Sequence, residues 1–328
     1  MKRMGANISQ VAAEAGVSPT TVSHALSGKR SVSAETKVRI HEAVDRLGYR
    51  PNLLAKGFRS QRTHTVGLLV ADISNPYYPE LARSVGDVLA VDGYIAFILN
   101  TDGSADRERT YLHEVVARSV DGVIVQAMSL GPEEIRHIVG DETPLVVLGD
   151  GRGEHLFDQV STDDALGIHE AVDHLRSTGR TDLAFLNGAG SARLAAFEVA
   201  SKRSGLEIGA NRTASTEFTR AGGVSAMTWM LEVGPPPQAV LCANDLIAIG
   251  AMDVIHARGL RIPDDIAVVG FDNIETADLV TPRLTTVDNF AAAVGSAAAH
   301  ALLGRMLGGT SPYESLALPT RLVVRESA

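Results

Sequence analysis

The period of the hydrophobic positions changes once along the chain. In the first fifty residues apolar side chains recur at helical spacing: Ile8, Val11, Ala12 and Ala15, and later Ile40, Ala43, Val44 and Leu47. Polar residues and glycines punctuate them. Asn7 with Gln10 forms a capping-box pattern ahead of the first helix, and Gly16 ends it. Ser18 then supplies an N-cap and Pro19 a first helical residue, predicting a second helix to Ser27 that stops at Gly28. A third runs from cap Ser33 to Leu47, with Gly48 as its stop. The first two helices are only about three residues apart and share Ala12, Val17, Val22 and Leu26 as a core, which predicts a helix-turn-helix.

From residue 64 compact apolar runs alternate with amphipathic segments. The runs TVGLLVADI, YIAFILNT, DGVIVQAM and PLVVLGD are interleaved with helical patterns at 79–91, 105–119 and from Pro132. The series restarts after STDDALG at 161–167. It continues with helix 164–177, strand LAFLNG, helices near 191–203 and 222–233, strand AVLCAN, helix 245–258 and strand AVVGFD. Helix 291–307 and strand RLVVRE complete it. Such alternation predicts parallel sheets covered by helices on both faces. Two sheets imply an α/β body of two lobes, with ligands bound where the carboxyl ends of the strands face each other.

Charge separates the two parts. The 328 residues carry a net charge of −9, yet residues 1–62 hold 11 Lys and Arg against 4 Asp and Glu, leaving 19 against 35 for the rest. A basic head on an acidic body is the asymmetry expected of a phosphate-binding module joined to a domain with another task. In the second helix the small or polar outward residues Thr20, Thr21, Ser23 and His24 lie near the N-terminus, where a recognition helix places its contacts to base edges.

Other classes find little support. No apolar run approaches the ~18–20 residues needed to cross a bilayer, and MKRMGANISQ lacks the apolar region of a signal peptide, so a cytoplasmic chain is expected. The single cysteine, Cys242 in AVLCAN, reads as a buried thiol and excludes cysteine metal clusters. In HEAVDH (169–174) the histidines are five residues apart and diverge by about 140° around a helix, so they do not share a metal. NGAGSAR (187–193) lacks the third glycine or alanine of a dinucleotide loop, and neither G-x-x-x-x-G-K-[ST] nor G-x-S-x-G occurs. Neither enzyme chemistry nor a cofactor is expected.

The run from NISQVAAEAGVSPTTVSHALSG through VSAETKVRIHEAVDRLGYRPN to TVGLLVADISNPYY resembles the N-terminal region of the lactose/galactose repressor (LacI/GalR) family of transcription regulators. AND at 243–245, LIAIGAMDVIHARGLRIPDDIAVVGFDN and TPRLTTV at 281–287 extend the likeness toward the C-terminus. The resemblance implies a helix-turn-helix DNA-binding domain over 1–50 and a hinge helix over 51–63. It also implies a periplasmic-binding-protein-like effector domain over 64–328, in which the chain crosses between lobes three times. Lobe one would comprise about 64–161 plus 290–318, and lobe two about 162–289 plus 319–328.

Residue by residue, the likeness assigns DNA contacts to Ser18, Thr20, Thr21, Ser23, His24, Lys29, Asn52, Ala55 and Phe58. Phe58 stands where the family usually has leucine, and His24 where many members use arginine. Effector contacts fall to Asp72, Asn75, Tyr77, Tyr78, Arg193, Phe218, Asn244 and Asp272, with aromatic rings suited to the apolar face of a sugar. Arg193 lies in RLAAF, where Ala196 replaces the usual glycine, and the preceding loop is shorter than in typical members. The implied protein is a homodimeric repressor on a palindromic double-stranded operator, released by a small molecule, a carbohydrate. The alternatives are a corepressor ligand in the same fold, or a solute-binding protein, which would not need residues 1–62.

Overall fold

A computed structural model describes residues 6–27, 30–49, 62–149, 155–188, 190 and 192–328. The chain divides into two compact units, Met1–Thr63 and His64–Ala328.

In the first unit the helices are α1 (Ile8–Ala15), α2 (Pro19–Ser27) and α3 (Ala34–Leu47); α1 and α3 start and stop where their caps dictate, and the expected stop of α2, Gly28, lies outside the described residues. Asn7 Oδ1 accepts from the Gln10 amide (3.0 Å) while Gln10 Oε1 accepts from that of Asn7 (2.8 Å), closing the capping box. Gly16 and Gly48 end α1 and α3 at φ 66° and 60°, where a side chain would be strained. Ser18 Oγ accepts from the Thr21 amide (3.1 Å) at the head of α2. The helices meet over Val11, Ala12, Ala15, Val22, Ile40 and Ala43, all buried. The hinge segment 51–63 falls almost wholly outside the described residues, as do Lys29, Asn52, Ala55 and Phe58.

The second unit opens with β1 (Thr65–Val70), α4 (Tyr77–Val91), β2 (Ile95–Asn100), α5 (Ala105–Ala117) and β3 (Gly122–Gln126). It continues through α6 (Pro132–Val139), β4 (Leu145–Leu148) and β5 (Asp158–Asp163). Next come α7 (Asp164–Ser177), β6 (Leu183–Asn187), α8 (Ala192–Arg203), β7 (Thr213–Ser215), α9 (Arg220–Val233) and β8 (Ala239–Cys242). Then follow α10 (Asp245–Ala257), β9 (Ala267–Phe271), a 3-10 turn (Glu275–Asp278) and β10 (Thr285–Asp288). The last elements are α11 (Ala291–Met306), β11 (Ser315–Pro319) and β12 (Arg321–Val323).

The strands build two six-stranded sheets, ordered β11-β5-β4-β3-β1-β2 and β12-β10-β9-β8-β6-β7. All pairings are parallel except that of β10 with β12, so the second sheet ends on an antiparallel strand. The chain therefore passes from one sheet to the other after β5, after β10 and after β11. Helices cover both faces of the first sheet: α4 and α11 on one side, with Leu81, Val85, Ala298 and Leu302 buried, and α5 and α6 on the other, with Leu112 and Ile135 buried. Gly295 brings α11 close to α4, since a Cβ there would lie 2.4 Å from the Leu81 carbonyl oxygen.

Two of the crossings are tied together at α7. The Gly167 amide donates to Thr320 Oγ1 (2.9 Å), which itself donates to the Asp163 carbonyl (2.7 Å). A Cβ on Gly167 would stand 2.3 Å from Val287 Cγ1, so this close approach requires glycine.

Four strands escape the periodicity reading: β5, β7, β10 and β11. β7 is only three residues long and β5 reads DQVSTD, while β11 lies at a sheet edge with four of its five residues exposed, so none carries a continuous apolar run. Helix α4 starts at Tyr77, two residues before the sequence suggests, because Pro76 serves as its cap residue with helical φ of −54°.

Candidate functional site

On α2 the expected DNA-facing residues differ in availability. Ser18 and Thr20 are exposed and Thr21, Ser23 and His24 half-buried. Ser18 and Thr21 are engaged in the cap itself, their hydroxyl oxygens 2.9 Å apart. His24 Nδ1 is buried and, among the described residues, has no hydrogen-bond partner.

In the second unit residues that follow β1, β6, β8 and β9 come together. Asp272 follows β9 with φ 110°, and Asn273 after it has φ 56°, conformations that cost roughly 1–3 kcal/mol each unless their surroundings impose them. Asp245 supplies part of that constraint. Fully buried at the start of α10, its carboxyl group accepts from Thr286 Oγ1 (2.5 Å) and from the Ile274 amide (2.9 Å). Burial, reinforced by Asp272, raises its pKa well above the carboxylate range.

Asp272 is the centre of the polar cluster. Its Oδ1 accepts from Asn289 Nδ2 (2.9 Å) and lies 3.8 Å from Arg193, and the Asn75 side-chain amide lies beside this carboxyl. Burial pushes the pKa of Asp272 up to about 7, with Arg193 opposing, Asp164 adding to the rise, and the two amides opposing. Asn75 comes from the loop after β1, so the groups around Asp272 are drawn from both lobes. Asn75 Oδ1 accepts from the Tyr77 amide (3.1 Å), which fixes the side-chain amide's orientation.

Arg193, in the first turn of α8, donates from Nε to Asp164 Oδ2 (2.7 Å) and from Nη1 to the Ala243 carbonyl. The guanidinium also lies 3.7 Å over the Phe271 ring. Burial opposes its charge, yet Asp164 and Asp272 more than offset that and the pKa is raised. Tyr77 and Tyr78 meet edge to face with ring centroids 5.1 Å apart, and burial followed by Asp272 raises both hydroxyl pKa values. Tyr77 packs against the cores of both lobes.

The remaining expected residues hold local structure. Asp72 Oδ1 accepts from the Ser74 amide (2.9 Å) and hydroxyl (2.6 Å), a turn that shapes the loop leading to Asn75. Asn244 caps α10 through the Ile247 amide (2.8 Å), and its Nδ2 donates to the Phe218 carbonyl (3.3 Å). The Phe218 ring rests on Gly188, where a Cβ would lie 2.3 Å from ring carbons. Thus Asn75, Tyr77, Tyr78, Arg193 and Asp272 form one group, Asn244 and Phe218 adjoin it through Ala243, and Asp72 contributes through its loop.

Sequence reasoning passed over Asp164, Asp245, Phe271 and Asn289. Asn289 is buried, and among the described residues its Oδ1 has no hydrogen-bond partner. The nearest signal was its place between the TPRLTTV motif and helix 291–307. Beside Asp272 a cavity of about 270 Å³ opens between the lobes, lined by Glu80, Asp272, Asn273, Asp288, Phe290 and the first turn of α11.

Residues 7–52 match the family described as bacterial regulatory proteins, lacI family, and residues 172–328 the periplasmic binding protein-like domain. Catabolite control protein A of Priestia megaterium is 30% identical over 330 residues, spanning 99% of both chains. A transcriptional regulator CelR–cellobiose complex is 30% identical with a TM-score of 0.74, over 98% of this chain and 100% of that one. The Lac repressor dimer bound to operator and the anti-inducer ONPF is 25% identical with a TM-score of 0.88, over 98% of this chain and 99% of that one. With its helix-turn-helix, its two facing sheets and a 30% identical relative matched end to end, the chain belongs to the LacI family of bacterial transcription regulators.

Proposed function

We propose that the protein is a sequence-specific repressor of transcription that binds a palindromic operator as a homodimer and is released by a carbohydrate. It acts in the cytoplasm and catalyses no reaction. The observation that carries the reading is the pairing of two units: a capped helix-turn-helix with a polar outer face on a basic segment, and a two-lobed body whose buried polar cluster spans the lobes at Asp272. One recognition helix covers half a site, and two-fold symmetry supplies the other half.

DNA contacts are assigned to Ser18, Thr20, Thr21, Ser23, His24 and Lys29, with Asn52, Ala55 and Phe58 in the hinge. Because Nδ1 of His24 is buried, Nε2 is its nitrogen for a base. Effector contacts are assigned to Asn75, Tyr77, Tyr78, Phe218 and Asp272, with Asp72, Arg193 and Asn244 ordering them. The carbohydrate assignment draws on the aromatic pair beside a hydrogen-bonding carboxylate, and on the cellobiose complex of the CelR relative. A ligand that binds one lobe arrangement more tightly shifts the population toward it, and operator affinity follows.

The test is a titration of operator binding by the full-length protein with a panel of sugars. Release of DNA by one sugar supports the reading. Tighter DNA binding would make that sugar a corepressor, and deletion of residues 1–62 without loss of cellular regulation would overturn the repressor assignment.

A further inference from the structure

Resting on the effector reading above, we infer that Asn100, at the end of β2, is a positioning residue for the effector site: its side chain holds the turn that carries Asn75, so that this loop is set before a ligand arrives. The effector residues of the first lobe hang on that turn. It spans 72–75 and is closed by the Asn75 amide, which donates to the Asp72 carbonyl (3.1 Å), and Tyr77 and Tyr78 follow at the head of α4. Asp72 Oδ1 takes the Ser74 amide, whereas the Ile73 amide goes to another strand and donates to Asn100 Oδ1 (2.8 Å).

Strand register places Asn100 there. β1 and β2 are parallel and pair Val70 with Asn100, their last residues, so both loops leave the same edge of the sheet. The next residue, Thr101, is buried and donates through its amide (2.9 Å) and its hydroxyl (3.1 Å) to the Val70 carbonyl. The end of β1 is thus gripped by its neighbour, and the Asn100 side chain reaches one step further, into the turn. Its orientation has one solution. A backbone N–H only donates, so Oδ1 faces Ile73; Nδ2 then faces the Asp102 carboxylate and donates to its Oδ1.

The far side of this bridge is fixed as well. Arg107 pairs with Oδ2 of Asp102, and the turn through Asp102 and Gly103 is closed by the Ser104 amide on the Thr101 carbonyl (3.0 Å). The Gly103 carbonyl accepts from Ser129 Oγ (2.9 Å) in the loop after β3. That loop is tied to the buried Glu108, whose carboxylate accepts from the Met128 (2.8 Å), Ser129 (3.3 Å) and Leu130 (3.0 Å) amides. Side chains therefore link three loops at one sheet edge, and Asn100 carries the linkage to the loop whose Asn75 lies beside Asp272. A loop ordered in the free protein spares the ligand the cost of ordering it, so loss of this link should appear chiefly in effector affinity.

The experiment follows amide hydrogen exchange in peptides covering 71–78 of the full-length protein, together with its affinities for glucose, galactose, ribose, cellobiose and operator DNA. Asn100→Ala is expected to speed exchange at the turn roughly fivefold and to weaken the sugar that binds by a similar factor, with operator affinity in the absence of sugar unchanged. Asn100→Asp keeps the acceptor for Ile73 but sets two carboxylates against each other, and is expected to loosen the turn too. Combining it with Asp102→Asn lets donor and acceptor trade places, and asparagine suits the left-handed backbone at 102, so exchange and affinity should return toward wild type. Unchanged exchange at the turn in Asn100→Ala overturns the inference, as does faster exchange with unaltered sugar affinity. Faster exchange across the whole sheet, with operator affinity falling in step, would show a general loss of stability and equally overturn it. If no sugar binds the wild-type protein, the carbohydrate reading fails, and the inference then stands or falls on exchange at the turn.

Discussion

Asn75, in the loop after β1, sets its side-chain amide beside Asp272 at the end of β9, so residues of both lobes meet at a carboxyl whose pKa is pushed up to about 7. The groups around it are Asp164 at the start of α7, Arg193 in the first turn of α8, Asp245 at the head of α10, Tyr77 and Tyr78 on α4, and the amide of Asn289. Neither lobe alone supplies this set, so the state of Asp272 depends on how the lobes sit.

The raised pKa gives stability a definite slope with pH. The unfolded acid ionises near the usual 3.8, whereas the folded one holds its proton to about 7. Across that window the native state binds more protons, so the stabilising contribution of this group is complete below the unfolded value and is lost as pH rises to about 7. Urea unfolding of the effector domain at pH 5 and pH 8 is expected to show this loss, and Asp272→Asn to reduce it. An unaltered pH dependence in the variant would remove Asp272 as its source.

Effector affinity should move the opposite way. A ligand hydroxyl donating to Asp272 favours the ionised form, so the dissociation constant is expected to fall between pH 6 and pH 8, and to become nearly flat in Asp272→Asn. Calorimetry with the sugar that releases operator would measure it.

Breaking the buried pair at Arg193 should be costly. Arg193→Met leaves the half-buried Asp164 and the buried Asp272 without their cation, and a loss of about 3–5 kcal/mol is expected, because Asp272 stays buried after its partner has gone. Asp164→Asn in the same background should recover part of that loss, by about 1–3 kcal/mol of coupling in a double-mutant cycle. Strict additivity of the two substitutions would mean that they do not act through one another.

Gly188 is the seat of Phe218. A Cβ there would lie 2.3 Å from the ring, so Gly188→Ala is expected to displace Phe218, with about 1–3 kcal/mol lost in stability or in effector affinity. Operator binding without effector should be unaffected. A variant with wild-type effector affinity would remove Phe218 from the ligand contacts.

How much of this could be read from the sequence follows from how local each feature is. The helix ends of the basic head were legible because a cap is a contact across three residues: Asn7 with Gln10, and Ser18 with Thr21. The strands that form continuous apolar runs were legible for the same reason. β5, β10 and β11 were not, being short, polar or exposed at an edge. Asp272 and Asn75 could be placed at strand ends, but they lie almost two hundred residues apart in sequence, and only the folded chain brings them side by side. The same distance hides the partner of Arg193: Asp164 is 29 residues upstream on another helix. Asn289 carries no motif at all, and its importance lies in an acceptor left without a donor.

His24 sets one limit on borrowing a relative's operator. A histidine gives guanine a single hydrogen bond, whereas arginine gives two, so His24→Arg is expected to sharpen preference at one base pair per half-site by about 1–3 kcal/mol. Binding selections on randomised half-sites would read the change directly. Identical preferences for both proteins would leave His24 as helix surface only.

A two-fold DNA-binding protein whose grip depends on the cleft between its lobes selects a symmetric site and releases it to its ligand. The most direct measurement is selection of DNA by the full-length protein from a random library, followed by titration of the selected duplex with the sugar panel. An inverted repeat bound by two chains, and released by one sugar, is the expected result. Selection of an asymmetric site by a single chain, or a repeat whose binding no sugar alters, would contradict it.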